Sequence, residues 1–178
     1  RSCSMLSGSF REGVGAMVKA ASEYTGIPEV KFAIVFLPDS DENPVPILAT
    51  DFVNSTQAVQ AANDLKGLSG SGLEPTYDVI RSVVDNTLGL SFTEGSVRFL
   101  FLWTDEPGQT YTIPQVYEED LAVSISTAGL TFVSFTPHLY VDSFDDIGLA
   151  SGGGAHGLTD AESMSETIIR YLDVGCEE

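Results

Sequence analysis

The chain has 178 residues, 43% of them hydrophobic, enough to bury the core of one ordinary domain and too many for a disordered chain. Its 8 lysines and arginines face 26 aspartates and glutamates, for a formal net charge of -18; a surface with that field repels nucleic acid and anionic membranes, so neither is expected as a partner. No apolar run is long enough to span a bilayer, and no basic-then-apolar leader opens the chain, so it reads as a soluble, excised or mature piece without direct membrane insertion.

After a short polar start, Val14, Met17, Val18 and Ala21 recur at helical spacing, predicting a helix from Phe10 to Tyr24 that Gly26-Ile27-Pro28 stops. Val30 to Pro38 is too apolar for a one-faced strand and too short for a helix, so it reads as a strand covered on both sides. The turn DSDENPVP then leads to ILATDFV, a second strand close enough to pair with the first as a hairpin. Asn54 to Thr56 read as the cap of a helix whose Val59, Ala62 and Leu65 share one face. A third helix follows SGSG, with Pro75 in its first turn and Tyr77, Ile80, Val83 and Val84 spaced for burial. The run VRFLFLWTD is a further central strand, PQVYEEDLAVSISTAG a helix stopped by Gly129, and LTFVSFTP a third buried strand. In the tail, Asp145 to Ala150 form a short helix, GGG a turn and AHGL an edge strand, and Thr159 or Asp160 caps a last helix reaching about Leu172.

With no internal repeat or low-complexity linker, the whole chain, 1–178, reads as one domain. Covered strands alternating with amphipathic helices predict an α/β fold: a Rossmann-like three-layer sandwich, its mostly parallel central sheet carrying one antiparallel edge strand and helices on both faces. In such sheets ligands collect at the carboxyl ends of the strands, where loops converge and helix N-termini present free N–H groups. Asp105, just past VRFLFLW, therefore sits at a rigid functional rim, though a turn or N-cap role accounts for a lone aspartate equally. Ser7 and Ser9 before the first helix, and Glu74 and Thr76 before another, join it as candidates for that rim. Hydroxyls and carboxylates are hard donors that suit an ion like Mg2+ or Ca2+, and no thiolate or imidazole accompanies them to suit zinc.

The order of elements resembles the von Willebrand factor type A family. S-G-S precedes the first helix, a hairpin follows it, a Gly-rich loop enters a helix, an apolar strand ends in TD, and AGLTFVSFT and the glycine-turn tail complete the series. The resemblance covers nearly the whole chain. It implies a metal-ion-dependent adhesion site at the strand ends, built from D-x-S-x-S, a middle-loop threonine and a late aspartate, whose metal takes an acidic side chain of a protein ligand. Ser7, Ser9 and Asp105 fall at the matching positions, and Leu73, Glu74 and Thr76 all lie near the place of the threonine. Met5 stands where the first aspartate belongs, and a thioether is no ligand for a hard ion, so the site is degenerate. The family's first, central strand also has only RSCSML to represent it. Either Arg1 to Leu6 pair despite their polarity, or an upstream or partner segment supplies the strand, or the sheet is rearranged.

Cys3 and Cys176 lie near opposite ends of the chain. A disulfide between them is expected, closing the chain into a ring and suiting a protein outside the cell, with two unpaired thiols in a cytosolic protein as the alternative; the family layout places them toward opposite ends of the domain. Asn54-Ser55-Thr56 is a glycosylation sequon. Ser9 is a loose match to a hydrolase elbow, and His138 and His156, the chain's two histidines, are expected in loop and surface roles, so no catalytic residue is assigned. The expected function is a non-enzymatic adhesion or protein-binding module, extracellular or at a cell surface, engaging a protein ligand or a matrix component. The alternative is an assembly domain with a vestigial metal site, completed by a strand from a partner or an upstream segment.

Overall fold

The structure is a computed structural model that describes residues 9–24, 29–36, 46–64, 74–112 and 114–176, the side chains of 9–13, 36 and 176 excepted. The first helix, α1 (Ser9–Glu23), turns Val14, Met17, Val18 and Ala21 inward, as their spacing predicts. Strands β1 (Phe32–Phe36) and β2 (Ile47–Val53) pair antiparallel, Phe32 opposite Val53 and Phe36 opposite Ile47, with irregular register in between. Helix α2 (Ser55–Asp64) starts on the expected cap: the Asn54 side-chain oxygen accepts the Gln57 N–H at 3.0 Å.

Helix α3 (Thr76–Val84) begins one residue after Pro75, which takes the N-cap position instead of the first turn. It leads to β3 (Arg98–Trp103), then α4 (Glu118–Thr127), β4 (Leu130–Thr136) and a 3-10 helix (His138–Ser143). Helix α5 (Asp145–Ala150), strand β5 (Gly154–Gly157) and helix α6 (Ala161–Cys176) complete the order. Gly129 stops α4 with φ of 64°, the left-handed conformation that releases a helix into the next strand and that side-chain-bearing residues avoid.

Strands β3, β4 and β5 form a parallel sheet with β4 in the middle, which is why β4 is buried along almost its whole length. One face packs Leu102 and Phe132 against Tyr77, Ile80, Leu121, Ile125, Phe144 and Ile147 of the α3–α5 side. The other packs Val133 and Phe135 against Met17 and Ala21 of α1 and Met164, Ile168 and Leu172 of α6. Each such side chain contributes roughly 1.5–3 kcal/mol by leaving water. Helices on both faces make this a Rossmann-like α/β sandwich with an antiparallel hairpin beside its parallel sheet, the architecture that the alternating pattern predicts. Phe32 of β1 packs on the same cluster as Phe99 and Phe101 of β3, so hairpin and sheet share the α1/α6 layer, although no ladder joins them among the described residues.

Candidate functional site

The aromatic residues Phe99, Phe101 and Trp103 of β3 pack toward α1 and α6, and Leu100 and Leu102 toward α3, so Thr104, next in the alternation, turns toward α3. Its N–H reaches the Phe135 carbonyl at 3.3 Å, extending the ladder past the strand, and its hydroxyl donates to Glu74 Oε2 at 3.0 Å while accepting the Glu106 N–H at 3.0 Å. A buried threonine thus joins the start of α3 to the loop after β3. Asp105 follows on this corner, and burial pushes its carboxyl above the ordinary range. Glu106 is pushed the same way, by burial first and then by the charge of Asp105.

Thr76 and Asp78 hold the rest of the loop. The Thr76 hydroxyl donates to the Pro107 carbonyl at 3.0 Å and accepts the Gln109 N–H at 3.1 Å, and the Tyr77 N–H donates to the Gln109 carbonyl at 3.0 Å. Gly108 passes so near the Tyr77 ring that a Cβ there would stand 2.2 Å from it. Asp78, 4% exposed, accepts the Thr110 hydroxyl at 2.7 Å on Oδ1 and the Tyr111 N–H at 2.6 Å on Oδ2, with the Thr112 hydroxyl also donating to Oδ1.

The Tyr77 hydroxyl crosses to the start of α5, donating to the Ser143 carbonyl at 2.7 Å. Burial, then the carboxylates Glu118, Glu119 and Asp146, raise its pKa. Glu118 is raised too, first by burial and then by Asp146, and its Oε1 is buried without a hydrogen-bond partner. Helices α3, α4 and α5 therefore begin together at the end of the sheet where β3 and β4 finish. The Ser134 and Thr136 hydroxyls, on residues 0% exposed, and Gln109 Nε2 are also buried and unpartnered.

Of the residues expected at the rim, the structure brings Glu74, Thr76 and Asp105 to one corner. Ser7, Cys3, Met5 and Leu73 lie outside the described residues, as does the expected first strand, Arg1 to Leu6. Ser9 is the first residue of α1 and Cys176 the last of α6, both with side chains outside the description, so the meeting of serines and aspartate and the disulfide are not among the described contacts. His156 differs from its expected surface role: half buried on β5, its Nε2 lies 2.9 Å from the Tyr171 hydroxyl, its ring beside Phe135. Burial lowers its pKa.

Sequence reasoning did not single out Thr104 or Asp78. Part of the signal was present: a threonine before the rim aspartate, and hydroxyls at Thr110 and Thr112 that alternate as a clamp requires. Glu74 and Asp105 are hard oxygen donors from two loops and fit the chemistry of a Mg2+- or Ca2+-like ion. The Thr76 hydroxyl is already engaged on both sides by the loop. Among the described residues no group of three or more His, Cys, Asp or Glu side chains gathers as a metal cage.

No family model matches the chain, and no curated protein does. Among solved structures it is similar to proximal thread matrix protein 1 from the mussel byssus, with a TM-score of 0.64 and 13% identity over 97% of this chain and 42% of that one. It is also similar to the conserved hypothetical protein BatB from Bacteroides thetaiotaomicron, with a TM-score of 0.63 and 12% identity over 95% of this chain and 87% of that one. The chain thus spans less than half of the mussel protein. At such identities the likeness is one of fold alone.

Proposed function

We propose that the chain is a non-enzymatic protein-binding module of the von Willebrand A type, acting in adhesion or assembly outside the cell or at its surface. The observation that carries this reading is the corner where Glu74, Thr104 and Asp105 meet the clamped loop: a rigid, carboxylate-bearing rim at the sheet end where α/β folds take ligands. The mussel neighbour is by its name a matrix protein, which fits that setting. Where a divalent ion takes part, Glu74 and Asp105 hold it here, with Ser7 and Ser9 as the further donors, and the ion supplies an open position for an oxygen of the ligand.

Beads coated with the chain test this on immobilised matrix proteins, with Asp105→Asn as the comparison. Adhesion that falls for the variant supports the rim; equal adhesion refutes it. Calorimetric titration with Mg2+, Mn2+ and Ca2+ tests the ion separately: heat and a thermal shift are expected, and neither at millimolar ion defeats the metal role.

A second reading has its own observation. The hairpin and the parallel sheet share a helix layer without pairing to each other among the described residues, as expected of an assembly unit whose sheet is completed by another segment. A chain that gains no stability from any added upstream or partner segment counts against that reading.

A further inference from the structure

The Asn54-Ser55-Thr56 sequon occurs once in the chain and takes no part in the corner at the end of the parallel sheet. The fold carries it on the surface, at the turn from β2 into α2, with Asn54 and Thr56 exposed. Asn54 is held there by the helix it caps. Its Oδ1 accepts the Gln57 N–H at 3.0 Å, and its main-chain carbonyl accepts the Ala58 N–H at 3.0 Å.

Capping uses the oxygen alone. The oxygen and nitrogen of an amide diverge from one carbon, so an Oδ1 turned onto the helix end leaves Nδ2 turned away from it. Among the described residues Nδ2 has no hydrogen-bond partner, and neither has the Thr56 hydroxyl, the group that the sequon demands two residues on. There is room beside the turn for a bulky substituent. An open groove runs between β2 and α2, lined by Ala49 and Thr50 on the strand and by Thr56, Gln57, Gln60 and Ala61 on the helix. Its hydroxyls and side-chain amides both give and take hydrogen bonds, as the hydroxyls of a sugar do.

We propose that Asn54 is a glycosylation site, its side chain capping α2 through Oδ1 and carrying an N-linked glycan on Nδ2. The donor is an oligosaccharide on a lipid-linked pyrophosphate. Nδ2 forms a bond to C1 of the first N-acetylglucosamine, the bond from C1 to the pyrophosphate breaks, the pyrophosphate leaves with the electron pair, and one amide proton passes to the transferase. Oδ1 remains an acceptor throughout, so the helix keeps its cap. The inference goes beyond the binding reading and rests only on its extracellular setting.

The test is secretion of the chain from cultured animal cells behind a foreign signal peptide, beside the same chain made in a bacterial host that adds no glycan. After digestion with peptide-N-glycosidase, peptide mass spectrometry is expected to find Asn54 converted to aspartate in the secreted chain alone. Ser55→Pro bars the sequon yet suits the first position of α2, so it and Thr56→Ala are each expected to abolish the modification, while Thr56→Ser keeps it. The glycosylated and bacterial chains are expected to melt within about 1 °C of each other, whereas a cap lost to the sugar would lower the glycosylated form by roughly 2–4 °C. A secreted chain unmodified at Asn54, a glycan that persists in Ser55→Pro, or a glycosylated form that melts lower by that amount overturns the proposal. None of these results touches adhesion at the rim, which Asp105→Asn tests separately.

Discussion

Replacing Asp78 by alanine should free the loop after β3 from α3. The carboxylate is 4% exposed and takes the Thr110 and Thr112 hydroxyls on one oxygen and the Tyr111 N–H on the other. Hydrogen bonds to a charged group contribute about 1.5–3 kcal/mol each when their partners are left buried. Thr112 and Tyr111 are exposed, however, so their groups can turn to water and only part of that sum is lost. Asp78→Ala should therefore cost about 3 kcal/mol, a drop of about 1.5 M in urea midpoint for a domain of this size. Asp78→Asn should cost about 1 kcal/mol, because its oxygen can keep the Tyr111 N–H while the hydroxyls rotate to accept from its amide. The fluorescence of Trp103, the chain's one tryptophan, reports the transition. Amide exchange at Gln109 and Tyr111, whose N–H groups bond Thr76 and Asp78, reports the loop itself. An alanine variant within about 0.5 kcal/mol of the parent, with those amides still protected, would show that the clamp holds nothing.

Gly108→Ala should cost about 2–3 kcal/mol by driving a methyl into the Tyr77 ring, which its hydroxyl bond to Ser143 keeps from yielding; Gly129→Ala, with open space but φ of 64°, should cost about 1 kcal/mol, and thermal melts rank the two. Asn54→Ala should lose about 1 kcal/mol of cap energy, read as a lowered urea midpoint, while Asn54→Asp should stay near the parent. Because Glu118 has a raised folded pKa, the native state holds more protons than the unfolded chain between the ordinary 4.5 and that raised value. The stability gained on protonation is thus present at low pH and lost as pH rises through the folded pKa. Glu118→Gln should be more stable than the parent at neutral pH, the gap closing on acidification; urea midpoints in which the gap widens instead would reverse the argument.

The layer order was legible because each element carries its own period. β4 reads as an unbroken apolar run since both its faces are covered, and α1 shows its inward stripe at Val14, Met17, Val18 and Ala21. Asp105 was legible for a similar reason: a carboxylate just past a buried strand falls at the end of the sheet, whether it serves there as a turn residue or as part of a rim. The clamp was not, because its partners stand far apart in sequence. Nothing local ties Asp78 to Thr110 and Thr112, and an acid among Tyr77, Val79 and Ile80 reads as the polar side of an amphipathic helix until the loop is folded over it. His156 was misread for the opposite reason. An edge strand suggests solvent, but α6 brings Tyr171 over it.

The polar groups at the rim divide into those that local rules explain and those that they do not. Thr76, Thr104 and Asp78 are satisfied by the loop they hold, and Asp145, Asp146 and Glu119 by the dipoles of helices that start there. Asp105, Glu106 and Glu118 are different: burial first, and for Glu106 and Glu118 the neighbouring carboxylates as well, disfavours their charged forms, and no lysine or arginine among the described residues forms an ion pair with them. The Ser134 and Thr136 hydroxyls add buried groups with nothing to bond. Both departures raise the energy of the same sheet end, while the faces beneath it are packed with apolar side chains. A fold selected for stability alone would place valine at 134 and 136, since an isosteric apolar group there removes the desolvation cost at no loss of contact.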